Sequence, residues 1–163
     1  MNRPIAIEDL ARRLPVKARL IGVDLGTKTI GLAISDIERR LASPLKTLPR
    51  GAFQKDADAL KSIFSDFEIA GIILGLPLDL NGGDSPRAQS TRAFARNLST
   101  RTDLPIAYWD ERFSTAAVTR SLIANDVSRA RRHHVVDKLA AAYILQGALD
   151  RLSGLRPKQS DFS

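Results

Sequence analysis

Polar and apolar positions change rhythm part-way along the 163 residues. Leu20 to Leu25 and Thr29 to Ser35 are short apolar segments of strand length, and Gly26-Thr27-Lys28 between them reads as a hairpin-like turn. A third short strand is predicted around Leu45 to Leu48, after Ser43-Pro44, so three consecutive strands form an antiparallel meander. The period then turns helical, with Leu60, Ile63, Phe64 and Phe67 spacing a helix over Asp58 to Phe67. Ala70 to Leu76 is a continuous apolar run, the pattern of a strand buried on both faces, and Gly75-Leu76-Pro77 ends it. The Gly-rich loop Asn81-Gly82-Gly83-Asp84 leads to a helix from about Ser85, with Pro86 in its first turn. Pro105 to Trp109 is a further strand, and Ser114 or Thr115 caps a helix running to about Ala124. A basic linker, Ser128 to His134, precedes a last helix that ends near Leu152.

This order predicts a mixed α/β domain, a meander joined to parallel strands through right-handed helical crossovers and flanked by helices. The length suits one domain. Residues 1–17 are expected to form an N-terminal arm, as a short helix or a loose segment, with order beginning at Arg19. The domain proper is expected over 18–152, and 153–163 as a solvated C-terminal tail.

Composition narrows the chemistry. The absence of cysteine excludes a disulfide framework, thiol catalysis and Cys-ligated metals. Two adjacent histidines, His133 and His134, leave oxygen as the ligand for any metal. Twenty-five basic against 18 acidic residues give a net charge of +7, which favours a polyanion, nucleic acid before membrane. The apolar run Ile69 to Leu78 is too short to cross a bilayer, and Glu8 and Asp9 interrupt the place of a secretory apolar region. A cytoplasmic protein is expected.

Three carboxylates lie where carboxylates are expensive. Asp24 shares one side of an apolar strand with Leu20 and Gly22, while Ile21, Val23 and Leu25 face the other way. Such a charge must be paired, hydrogen-bonded or bound to a cation, unless the strand end frays and Asp24 caps the turn. Glu111 follows the Pro105–Trp109 strand at its carboxyl end, where open α/β sheets bind ligands. It alternates onto the face of Trp109, away from Tyr108 and Asp110, and a salt bridge to Arg112 is its plainer explanation. Asp137 shares a helix face with Ala140, Ala141, Ile144 and Leu145. Its plainer explanation is a first-turn acid favoured by the helix dipole. Together the three suggest a site for a hard cation, Mg²⁺ or Mn²⁺. Two such ions about 4 Å apart suit hydrolysis of a phosphodiester without a Ser or Cys nucleophile.

The segments Gly22-Val23-Asp24-Leu25-Gly26-Thr27-Lys28-Thr29-Ile30-Gly31, Gly75-Leu76-Pro77, Asp110-Glu111-Arg112-Phe113-Ser114-Thr115 and Val136-Asp137-Lys138-Leu139-Ala140-Ala141 resemble, in order and spacing, the motifs of the YqgF family, described as Holliday-junction-resolvase-like. The resemblance spans 18–152. It implies a ribonuclease-H-like mixed sheet, with Asp24 as the central metal-bridging carboxylate and Glu111 and Asp137 completing a site for two ions. It also implies a metal-dependent endonuclease that trims the 5′ end of pre-16S ribosomal RNA in ribosome biogenesis, with a pre-ribosomal particle as a further partner. Two alternatives stay open: a dimeric resolvase of four-way DNA junctions, and a non-catalytic RNA-binding ribosome-assembly factor. Oligomeric state, monomer or homodimer, is open as well.

Substrate contacts are expected from several basic and glycine positions. Lys28 lies just past Asp24, where it would steady developing phosphorane charge. Gly82 and Gly83 belong to a loop that offers backbone N–H groups to a phosphate. Arg112 adjoins Glu111, and Arg129, Arg131 and Arg132 form the densest basic cluster, suited to holding phosphates. Ordinary loop and surface roles are the plainer reading of each. Arg92 and Arg96 lie one helical turn apart and extend a basic face.

Overall fold

In a computed structural model, the structure describes residues 3–113 and a helix over 129–155, with side chains described for 3–112 and 138–155. Its elements are α1 (Ile7–Arg13), β1 (Arg19–Leu25), β2 (Thr29–Ser35), β3 (Ala42–Pro49), α2 (Phe53–Asp66), β4 (Ile69–Leu76), α3 (Pro86–Ser99), β5 (Ile106–Asp110), a 3₁₀ turn at Glu111–Phe113 and α4 (Arg129–Leu155). One five-stranded sheet runs in the order β3-β2-β1-β4-β5. The β1–β2 and β2–β3 pairs are antiparallel, while β4 pairs parallel with both β1 and β5. The meander and the parallel half therefore stand as the sequence pattern predicts.

Strand alternation sends the core to two sides. Ile21, Val23, Leu25, Ile72 and Leu74 pack with Leu60 and Phe64 of α2 and Phe94 and Leu98 of α3. Leu20, Ile73 and Ala107 face the other way, onto Leu10 of α1 and Ala141, Ile144, Leu145 and Leu149 of α4. Ile72, Ile73 and Leu74, successive residues of β4, are all fully buried, because each of its faces is covered by a helical layer.

Three boundaries depart from expectation, each for a tertiary reason. Order begins before Arg19: Ile5 bridges to Ala107 on the free edge of β5, and Leu10 of α1 is fully buried. Helix α2 starts at Phe53 rather than Asp58. Phe53 packs edge-to-face on Phe94 across the core, and Asp56 accepts the Gly51 N–H ahead of the helix. The basic stretch from Arg129 to His134, expected as part of a linker, is helical and opens α4. Helix α3 begins as expected, with Pro86 in its first turn and the Ser85 hydroxyl accepting the Ala88 N–H. The helix expected from Ser114 or Thr115 to Ala124 lies outside the described residues.

Candidate active site

Parallel pairing of β1, β4 and β5 brings their carboxyl ends to one edge of the sheet, and α4 lies over the face that holds Leu20 and Ile73. The helix approaches closely because glycines line its path. A Cβ on Gly22 would meet Leu145 Cβ at 2.7 Å and the Ala141 carbonyl at 2.9 Å. One on Gly147 of the helix would meet the Trp109 ring at 2.9 Å. Asp24 follows Gly22 on that same face, and is 1% exposed. Glu111, two residues past Trp109 and on its face, is 9% exposed.

Gly75 lies between them in the sheet. It pairs with Trp109 of β5, and it stands one residue past Leu74, the partner of Val23 in β1. A Cβ there would meet Glu111 Oε1 at 2.8 Å and Ile144 Cδ1 at 2.6 Å. The missing side chain is thus the space that the Glu111 carboxylate occupies. Two buried acids thus stand at the carboxyl edge of a parallel sheet: Asp24 in β1, one residue past the Val23–Leu74 pair, and Glu111, whose carboxylate lies over the backbone of Gly75. An all-oxygen donor set of this kind suits a hard divalent cation and offers nothing to a soft one. Burying two acids at one edge of a sheet is costly without a cation or further donors to offset their charge.

The loops around this edge are braced by arginines. Arg112 donates to both carboxylate oxygens of Asp110, from Nη2 to Oδ2 at 2.6 Å and from Nε to Oδ1 at 3.1 Å, and to the Leu80 carbonyl at 3.3 Å. The Arg112 hydrogen bonds hold the Asp110 carboxyl below its ordinary range. Within the Gly-rich loop, the Gly82 N–H donates to the Asp79 carbonyl at 2.8 Å and the Gly83 N–H to Asn81 Oδ1 at 2.9 Å. These two N–H groups therefore close the loop on itself instead of standing open to a phosphate. Gly82 has φ +86°, a left-handed conformation suited to glycine, and the Arg112 guanidinium lies against it.

A second brace was absent from the sequence expectations. Arg50 Nη1 donates to the Gly26 carbonyl at 2.7 Å, and Arg87 Nη2 to the Leu25 carbonyl at 3.2 Å. Both hold the turn that follows Asp24, beside a small cavity of about 220 Å³. Arg50 lies at the end of the meander and Arg87 in α3, so no local spacing connects either with residue 24. Lys28 is exposed in the same turn, and its carbonyl accepts the Arg50 N–H.

Asp137 lies in α4, one turn before Ala141. Since α4 begins at Arg129, Asp137 sits in its third turn, and the helix dipole, confined to the first turn, no longer accounts for it. Ala140, Ala141, Ile144 and Leu145, the residues expected to share its face, are buried. The side chains of Asp137, Arg129, Arg131 and Arg132 lie outside the described residues. Among the described residues, no group of three candidate ligands is assembled.

Residues 18–151 match the family model described as "RuvX: Holliday junction resolvase". The chain belongs to the RuvX family. This RuvX-family chain is 58% identical over 148 residues to a Methylocella silvestris protein named "Putative pre-16S rRNA nuclease", covering 91% of this chain and 92% of the relative. A Rhodopseudomonas palustris protein of the same name is 60% identical over 142 residues, covering 87% and 89%. Among solved structures, RuvC from T. thermophilus in complex with a Holliday junction substrate matches with TM-score 0.52 at 12% identity, covering 83% of this chain and 96% of that one. The Thermus thermophilus RuvC structure matches similarly, with TM-score 0.51 at 12% identity. This likeness supports the fold, a RuvC-like ribonuclease-H arrangement. Family membership makes the chain a nuclease, a hydrolase of phosphodiester bonds.

Proposed function

We propose that this RuvX-family chain is a divalent-metal-dependent endonuclease that processes the 5′ end of pre-16S ribosomal RNA in the bacterial cytoplasm. The observation that carries the reading is the burial of two acids at the carboxyl edge of the sheet, Asp24 in β1 and Glu111 with its carboxylate over Gly75 of the neighbouring strand. The RNA assignment leans on relatives 55–60% identical that carry the pre-16S name. Asp137 is the third carboxylate. The path of α4 supports it: Gln146 is tied to Ala42 and Arg40, Arg151 to Glu8, and Ala141 lies over Gly22 in the middle of β1. One turn back from Ala141, about 6 Å along the helix, leads toward the Asp24 end of β1.

In this reading Asp24, Glu111 and Asp137 hold two Mg²⁺ or Mn²⁺ ions through carboxylate oxygens. Such ions supply Lewis acidity, lowering the pKa of water and stabilising charge on the phosphoryl oxygens. The protein supplies the rest. Burial holds the carboxylates in one arrangement, and Arg50 and Arg87 fix the turn that carries Asp24. Arg112, through Asp110 and the Leu80 carbonyl, fixes the loop beside Glu111, with Gly82 and Gly83 giving that loop its shape. Lys28 and the basic turns with Arg129, Arg131 and Arg132 take the phosphates either side of the scissile bond.

The test offers a 5′-extended 16S precursor RNA and a four-way DNA junction to wild-type and Asp24→Asn protein with Mg²⁺ or Mn²⁺. Wild type cuts the RNA, and Asp24→Asn does not, while both bind it. Cleavage of the junction alone replaces this reading with a resolvase, which requires a two-fold dimer. Cleavage by a clean Asp24→Asn preparation removes the carboxylate site from the reaction.

A further inference from the structure

A cleft of about 630 Å³ opens on the side of β5 opposite the carboxylates. Tyr108 lines it and packs with the Phe94 and Leu98 core, whereas Trp109 and Glu111 belong to the α4 face. The Ile5 N–H donates to the Ile106 carbonyl at 2.7 Å, which lays the N-terminal segment along the free edge of β5. That contact carries Arg3 to the cleft, which Arg92 and Arg96 of α3 also line. The Arg92 guanidinium stands 5.3 Å from the Tyr108 ring centroid and pairs with Asp84 at 3.0 Å. Among the described residues Arg3 and Arg96 make no ion pair and no carboxylate lines the cleft. Three arginines therefore line the cleft, and among the described residues one carboxylate, that of Asp84 on Arg92, is paired with them.

We infer that this cleft binds the phosphate backbone of a single-stranded extension of the same nucleic acid that is cut at the carboxylates. The inference rests on the nuclease reading and adds a second, remote contact to it. Guanidiniums grip phosphate through paired N–H donors and need no base readout, so the contact is indifferent to sequence. Tyr108 of β5 stands three residues before Glu111, which opens the 3₁₀ turn, so the two are within about 10 Å along the backbone. A strand that leaves the carboxylate edge and crosses β5 arrives at Arg92, Arg96 and Arg3. The N-terminal segment thereby acquires a task beyond covering a sheet edge.

Binding is measured without divalent metal, so that cleavage plays no part, on a hairpin RNA with and without a single-stranded extension of about ten nucleotides. Wild type gains affinity from the extension, and an Arg3→Gln/Arg96→Gln double variant loses most of that gain. Two phosphate contacts contribute about 1.4 to the salt slope, so the wild-type advantage shrinks about sevenfold between 50 and 200 mM salt. Lys55→Gln/Lys61→Gln on exposed positions of α2 leaves the gain intact. An unchanged gain in the double variant, or an equal loss in the α2 control, overturns the inference. Displacement of the extension by uridine monophosphate at the concentration needed for an oligonucleotide overturns it in favour of a free mononucleotide. If wild type binds neither RNA, the RNA-processing reading fails first. If wild type binds and cuts but the extension adds nothing, only the remote contact fails.

Discussion

Gly75→Ala isolates the geometry of the site from its chemistry, because it leaves every carboxylate in place. The new methyl carbon would lie 2.6 Å from Ile144 Cδ1 and 2.8 Å from Glu111 Oε1. Carbon contacts settle near 3.5–4.0 Å, so Ile144 must retreat by about 1 Å. Ile144 is fully buried, and forcing such a side chain off its packing costs about 1–3 kcal/mol. For a chain of this length each kcal/mol lowers the melting temperature by about 2–4 °C. The fold survives, since both obstructing atoms are ends of side chains. Glu111 must swing away from the methyl, and displacing a reacting group by about 1 Å costs on the order of 100-fold in rate. The measurement pairs a thermal melt with initial rates of cleavage of the 5′-extended precursor RNA, taken well below the melting temperature. Nucleic-acid affinity, measured without metal, stays at the wild-type value. Full cleavage activity in a Gly75→Ala protein that has lost a few degrees of stability would refute the claim that Gly75 makes room for a working Glu111.

Gly22→Ala is expected to be costlier than Gly75→Ala, at more than about 3 kcal/mol by chemical denaturation, because the Ala141 carbonyl at 2.9 Å is backbone and α4 itself would have to lift. An equal or smaller loss would show that α4 shifts easily over β1. Asp110→Asn is expected to flatten the acid limb of stability. The Asp110 carboxyl is held below its ordinary range by Arg112, so the pair's stabilisation is full above the unfolded value near about 3.9 and is lost as pH falls through the lower folded value. Denaturation curves from pH 6 to pH 2 that run parallel for the variant and wild type would contradict this. Leu10→Ala, which empties a fully buried position under α1, should cost about 2–5 kcal/mol by the same measurement. A negligible loss would mean that α1 is dispensable to the fold.

Period alone was enough for the local elements. Alternation and turn chemistry placed β1, β2 and the loop before α3, and continuous apolar character marked β4 as doubly covered, because these signals act within a few residues. Asp24 and Glu111 also stand out in one dimension, since a charge in or just beyond an apolar strand is conspicuous, and the structure buries both. Tertiary contacts decided the rest. The start of α2 depends on Phe53 meeting Phe94, and the order of the N-terminal arm on Ile5 and Leu10 reaching β5 and α4. Helix α4 runs through a basic stretch that local composition reads as a linker. The glycine-rich segments invited a phosphate-loop interpretation. Gly82 and Gly83 instead close a loop that Arg112 braces, while Gly75 makes room for Glu111. Arg50 and Arg87 brace the turn after Asp24 from distant points of the chain. A sequence states which residues are unusual where they stand, but which of them share a few ångströms is set by strand order and helix path. Those follow from packing the whole chain, and no local window contains them.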